Sequence, residues 1–201
     1  MVRIVKARRW IVLLATLVAA GALVGAVVAG QRGPQQQQHD IAAAIERSAM
    51  IKVADIAGSD GLAARGVYVQ ELDTGHLCVW DASFAASRSR GGGCNAIDDP
   101  FNGRAVSASL SYDGGPGIAS VRDARLSGLA AGNVARVAVL MSDGSERMVK
   151  LKKASLDSGD FVAFGYRLKK ADLKRGIGPT AIVAFDAGEV EIGRQPTGIG
   201  G

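Results

Sequence analysis

Two cysteines, Cys78 and Cys94, and a histidine two residues before the first, His76, are the residues of this chain best equipped for chemistry. Paired thiols can close a disulfide, clasp a metal or cycle as a redox couple. A metal clasp needs further ligands, and the only other histidine, His39, stands in a polar stretch far from the cysteines. A redox couple normally spaces its thiols as Cys-x-x-Cys, whereas 15 residues separate Cys78 from Cys94. A structural Cys78–Cys94 disulfide is therefore expected, with "SRSRGGG" as a flexible loop tied at its base. An even count of two permits no other intramolecular connection.

Whether such a bond forms depends on compartment, and the first thirty residues address that. Residues 10 to 30 run without a charge, and at about 1.5 Å per helical residue they match the roughly 30 Å hydrocarbon core of a bilayer. Arg3, Lys6, Arg8 and Arg9 precede the run, so the positive-inside rule keeps the amino terminus in the cytoplasm and exports the remainder. The sequence thus divides into a cytoplasmic tail (1–9), a transmembrane anchor (10–30), a linker and helix (31–65), an extracytoplasmic β domain (66–195) and a disordered tail (196–201). The small side chains Val27 and Ala29 ahead of Gln31 leave open cleavage to a secreted domain. Gly21 and Gly25 form a GxxxG pair, which allows weak homodimerisation of the anchor.

Net charge excludes one class of partner. Of 24 Lys and Arg, four lie in the tail, so the exported part balances 20 cations against 19 acids, a net of +1. Nucleic-acid binding driven by overall charge is not expected. The excess is local: between 147 and 175 nine cations face three acids, a net of +6. On a strand over 146–152, Val149 and Leu151 would face the core and turn Lys150 and Lys152 outward. With Lys169 and Lys170 they either keep a strand face solvated or contact anionic headgroups or an envelope polyanion. An envelope protein is the other partner considered.

The elements that must position these residues are mostly strands. "QRGPQQQQH" reads as a juxtamembrane spacer, and Asp40 caps a helix whose stripe, Ile41, Ile45, Ala49, Val53 and Ile56, ends near Gly58. From residue 66 the period is two. "GVYVQEL" and "HLCVWDA" flank Asp73-Thr74-Gly75 as a hairpin, and "AVSASLSY", "NVARVAVLM", "SERMVKLKK", "DFVAFGY", "TAIVAFD" and "EVEIGRQ" follow with Gly-containing turns. About eight short strands and one soluble helix predict a mainly β fold, one antiparallel β-sandwich or partly open barrel beyond a short helical stalk.

The stretches "VARVAVLMSDGSERMVKL", "GDFVAFGY" and "AIVAFDAGEVEIGR" resemble the C-terminal domain of uncharacterised, single-pass, extracytoplasmic proteins of high-GC Gram-positive bacteria. The resemblance covers roughly residues 66 to 195. It implies a β fold and an extracytoplasmic location, and it implies no activity.

Catalytic constellations are sparse. His76 could serve as a base with Asp81 or Glu71, although a histidine at a hairpin edge is ordinarily a surface residue. No Gly-x-Ser-x-Gly elbow or His-Glu-x-x-His helix occurs. "SYDGGPG" has the glycines of a phosphate loop without its Lys-Ser/Thr pair, and Asp98, Asp99 and Asp113 have irregular spacing for Ca²⁺. No cofactor is expected. The favoured reading is a membrane-anchored, extracytoplasmic binding or structural domain; the alternative is an envelope enzyme or enzyme subunit whose site has no recognisable motif.

Overall fold

A computed structural model describes residues 34–84, 90–115 and 117–197. The tail, the apolar run 10–30 and the Gly21–Gly25 pair lie outside the described residues. No helix among those described is long and apolar enough to cross a membrane. The chain divides into two compact units, Met1–Ala43 and Ala44–Gly201. The first contributes only the opening of helix α1 (Pro34–Arg47) to the described residues; the second contains every strand described below.

Residues 34 to 39 are helical, where the sequence suggested a spacer. Pro34 suits a first helical turn, where its missing N–H costs nothing, and the four glutamines are good helix formers. The helix also stops sooner than expected, at Arg47, and the expected apolar stripe 41–56 is broken. Val53 and Ile56 belong to a strand, β1 (Ile51–Ile56), whose register shifts between Lys52 and Ala54. That bulge spaces buried Val53 and Ile56 three residues apart, a helical interval produced by extended chain. From the strand that follows β1, β2 (Arg65–Leu72), the buried Gln70 side chain seals the end of α1, donating to Ile45 O at 3.0 Å and Ser48 O at 2.7 Å. Its Oε1 accepts from Trp80 Nε1 at 2.8 Å, so no polar atom of this buried amide goes unsatisfied.

The fold is mainly β. Twelve strands among the described residues form three four-stranded antiparallel sheets, none closed into a barrel. The first sheet is a meander of β1, β2 (Arg65–Leu72), β3 (His76–Ala82) and β4 (Arg90–Ala96). The second contains β5 (Val106–Gly114), β6 (Val121–Ala131), β9 (Leu151–Leu156) and β10 (Gly159–Arg167), in the order β5-β6-β10-β9. The third contains β7 (Arg136–Met141), β8 (Glu146–Met148), β11 (Pro179–Phe185) and β12 (Glu191–Pro196), in the order β12-β11-β7-β8; a short helix α2 (Lys170–Lys174) links β10 to β11.

The second sheet buries both faces, which explains why a single two-layer sandwich is too simple. Along β10, Phe161 and Ala163 join Val53, Ile56, Val67, Val69 and Leu77 of the first sheet in one core. Val162 and Phe164 point the other way and join Val137, Val139 and Ile182 of the third sheet in another. From Phe161 to Phe164, β10 is therefore covered on both sides and has no polar face.

Cys78 and Cys94 are directly opposed partners on β3 and β4 and form the disulfide, with Cα atoms 3.9 Å apart. The glycines read as part of a loop, Gly91 to Gly93, are ladder residues of β4. Gly91 is required there, because a Cβ at that position would run into the Ser111 hydroxyl on β5. Bonding of neighbouring strands leaves the entropic gain of closing a 15-residue loop. Replacing both cysteines with alanine should therefore lower stability by about 3 kcal/mol in denaturant titrations. A loss under about 0.5 kcal/mol would show that strand pairing alone closes the loop.

Glu71 ties the first sheet to the turn between β9 and β10, accepting from Asp157 N at 3.0 Å and Ser158 N at 2.8 Å. Burial pushes this carboxyl up, but the hydrogen bonds from Ser158 and Asp157 outweigh burial and hold it below its ordinary value. A lowered folded value means that the contribution is complete above the ordinary carboxylate range and is lost as pH falls through the folded value. The stability gap between the wild type and Glu71→Gln should accordingly shrink below about pH 4, as followed by chemical denaturation at stepped pH.

Candidate functional site

Two polar assemblies occupy the space between the first and second sheets. The deeper is a charge network on β6, a strand with no counterpart in the expected elements. Arg125 Nε donates to Asp81 Oδ2 at 2.6 Å, and its Nη1 reaches Asp113 Oδ2 at 2.9 Å and Asp123 Oδ2. Asp81 Oδ1 also accepts from Gly91 N at 2.9 Å and pairs with Arg65 at 3.4 Å. Asp123 pairs in turn with Arg167 Nε at 3.1 Å, and Arg167 donates to Ala57 O at 2.9 Å and Ala63 O at 3.0 Å.

Burial acts to lower the Arg125 pKa, but the bonds to Asp81, Asp113 and Asp123 outweigh it, so the guanidinium is held above its ordinary value. Three arginines face three aspartates, giving a neutral assembly whose carboxylates are engaged by cations. Such a lattice joins β3, β6, β10 and the 57–63 loop, and its groups are already committed to one another.

The second assembly is an open cleft of about 180 Å³ between β3, β4 and β5. Leu77, Val79, Leu129 and Cys94 supply apolar lining, while Asn95, Asn102, Arg104, Ser107, Ser109 and Gln195 supply polar lining. The alternation of "SASLS" builds one wall: Ala108 and Leu110 pack on the core shared with the third sheet, leaving Ser107 and Ser109 toward β4. The turn residue Asn102 takes φ of 51°, and Asp99 Oδ1 accepts from Gly103 N at 2.8 Å to hold that turn.

Part of the lining is structural. Asn95 Nδ2 donates to Pro100 O at 2.8 Å and Ser107 Oγ at 3.1 Å. The Gln195 amide pairs with both backbone groups of Ala108, donating to its O at 2.8 Å and accepting from its N at 2.7 Å. This side chain therefore satisfies the outer edge of β5 as a further strand would. What remains uncommitted among the described residues is the Arg104 guanidinium, the Ser109 hydroxyl, the Asn102 amide and Asn95 Oδ1. No acid lines the cleft.

The sequence-predicted candidates fall elsewhere. His76 Nδ1 lies 3.0 Å from Thr74 O, within its own turn; Asp81 belongs to the charge network and Glu71 to the β9–β10 turn. They form no catalytic group. Asp99 serves its turn and Asp113 serves Arg125, so the three acids considered for Ca²⁺ are not gathered. Among the described residues no group of three His, Cys, Asp or Glu side chains could hold a metal.

The expected strand over 146–152 is split. β8 belongs to the third sheet and β9 to the second, with Lys150 between them and Lys152 on β9. Val149 is buried and Lys150 exposed, as the alternation suggested, but Leu151 is only half-buried. Lys152 is exposed, as are Lys169 and Lys170 at the start of α2. Lys150 and Lys152 act electrostatically on Asp55 of β1, whose carboxyl is held down first by its hydrogen bond to Lys52. Near α2, buried Asp172 pairs with Arg147 at 3.4 Å and Arg175 at 2.6 Å, so part of the local excess is compensated.

Arg104, Asn95, Ser107 and Ser109 were not singled out from sequence. The signals present were the serine alternation on β5 and the Asn102-Gly103 turn, both of which also suit a plain strand and turn. No protein-family model matches this chain, and neither a curated protein nor a solved structure matches it.

Proposed function

We propose that this chain is a membrane-anchored binding domain working outside the cytoplasm, with the cleft between β3, β4 and β5 as its ligand site. The observation carrying this reading is the cleft itself, where uncommitted donors and an acceptor converge over an apolar lining. The charge-free run 10–30, with four cations on its amino-terminal side, is the anchor, and α1 begins the exported part as a short stalk. The Cys78–Cys94 bond supports an oxidising compartment. The three-sheet domain follows as a β-sandwich carrying an added layer, consistent with the resemblance to single-pass extracytoplasmic proteins.

Two measurements test this. A reporter fused after Gly201 should be active only if it is a type that works outside the cytoplasm; cytoplasmic activity overturns the location. Full-length protein in detergent, labelled with ¹⁵N and titrated with soluble peptides and oligosaccharides released from the cell envelope, should show shifts at the Asn95 and Asn102 side-chain amides. Silence at both overturns the site.

The exposure of Lys150, Lys152, Lys169 and Lys170 supports a second contact, with anionic headgroups beside the anchor. Changing all four to Glu should abolish a salt-sensitive preference of the protein for anionic over neutral vesicles. Equal binding to both vesicle types removes this reading.

A further inference from the structure

The uncommitted groups in the cleft specify a class of ligand, and this inference rests on the reading of the cleft as a binding site. Arg104 is exposed, is held by its backbone N–H to Phe101 O at 3.1 Å, and has no side-chain partner among the described residues. No acid lines the cleft, so an incoming anion meets a cation and no repulsion. A guanidinium fork matches the two oxygens of a carboxylate. The Ser109 hydroxyl and the Asn102 amide add neutral donors, and Asn95 Oδ1 is an acceptor that a carboxylate cannot use. A ligand that fits all of these carries a carboxylate next to an N–H donor.

Size narrows the class. The cleft holds about 180 Å³, below the roughly 300 Å³ at which whole small-molecule pockets begin. It has room for about six waters at about 30 Å³ each, which corresponds to the end of a chain with small side chains. Leu77, Val79 and Leu129 give such side chains an apolar lining.

We propose that the cleft binds the carboxyl terminus of a peptide ending in small apolar residues. Arg104 pairs with the terminal carboxylate, Ser109 and Asn102 donate to it, and Asn95 Oδ1 accepts from the last peptide N–H. The disulfide and the Asn95 and Gln195 hydrogen bonds set the walls before the ligand arrives, so little ordering is needed on binding.

The test uses full-length ¹⁵N-labelled protein in detergent micelles and two probes, N-acetyl-L-alanyl-L-alanine and its carboxyl-terminal amide. The acid should shift the Arg104 Nε–H and Asn102 side-chain signals saturably, and the amide should bind at least about tenfold more weakly. Arg104→Gln should lose the same factor with an unchanged melting temperature, and Arg104→Lys should recover part of it. The proposal is overturned if the acid leaves the cleft unmoved, if both probes bind alike, or if Arg104→Gln binds the acid as well as wild type. When envelope fragments still shift Asn95 and Asn102 in any of those cases, the binding-site reading survives and only the carboxylate assignment falls.

Discussion

Replacing Asp81 with alanine should cost about 3–5 kcal/mol, because it removes the acceptor of a buried guanidinium Nε and leaves three arginines facing only Asp113 and Asp123. Arg125 is almost fully enclosed and Asp81 is its partner at 2.6 Å; without that carboxylate, Nε faces a space with no acceptor. Gly91 N and Arg65 also lose a ligand, so the loss reaches β4 as well as β6. The size of the effect reports the missing partner more than the worth of the ion pair. Changing Asp81→Ala and Arg125→Met together should therefore recover much of the loss, giving a large favourable coupling in a double-mutant cycle. Asp113, whose side chain is 69% exposed, pairs with the same arginine, yet Asp113→Ala should cost no more than about 1 kcal/mol. Urea unfolding of the four variants decides it, and a loss at Asp81 no larger than at Asp113 would show that water reaches Arg125.

Phe164→Ala should be comparably damaging, at about 3–5 kcal/mol, for an unrelated reason. Phe164 is fully buried on the face of β10 that meets the third sheet. Its register partner on β6 is Gly128, where an added Cβ would lie 2.5 Å from the Phe164 ring. The ring therefore occupies the volume that glycine leaves free, and strands held in two ladders cannot collapse into the void. The same geometry makes Gly128→Ala destabilising through collision, although it adds only a methyl group. Equilibrium unfolding should show a lower midpoint with an unchanged denaturant slope for Phe164→Ala. A cost below about 1 kcal/mol would mean that the two sheets close over the gap.

These two positions mark where reading by pattern succeeds and where it stops. β10 was legible because "DFVAFGY" contains an unbroken apolar run, Phe161 to Phe164, as suits a strand segment buried on both faces. β2, β3, β5, β7, β11 and β12 were legible through period-two runs and turn residues such as Gly75 and Gly144, which take positive φ. β6 lies at the centre of the same sheet and is the longest strand, but "VRDARLSGLAA" carries Asp123, Arg125 and Ser127 on its inner face. Asp123 and Arg125 look solvent-facing until Asp81, Asp113 and Arg167 arrive from elsewhere in the chain to neutralise them. β4 was hidden by its glycines, which a strand normally disfavours and which here admit the serines of β5. β1 was hidden by a bulge that imitates helical spacing.

The amino-acid sequence by itself determined the β class, most hairpins and the Cys78–Cys94 pairing, because local periodicity, turn chemistry and an even thiol count are properties of neighbouring residues or of composition. Only the tertiary structure decided that there are three sheets, that Arg125 is a core residue, and that Arg104, Asn95, Asn102 and Ser109 share a cleft. Each of those depends on which distant segments meet. Burying a charge or assembling a cleft is settled by partners many residues away, whose identity no local pattern encodes.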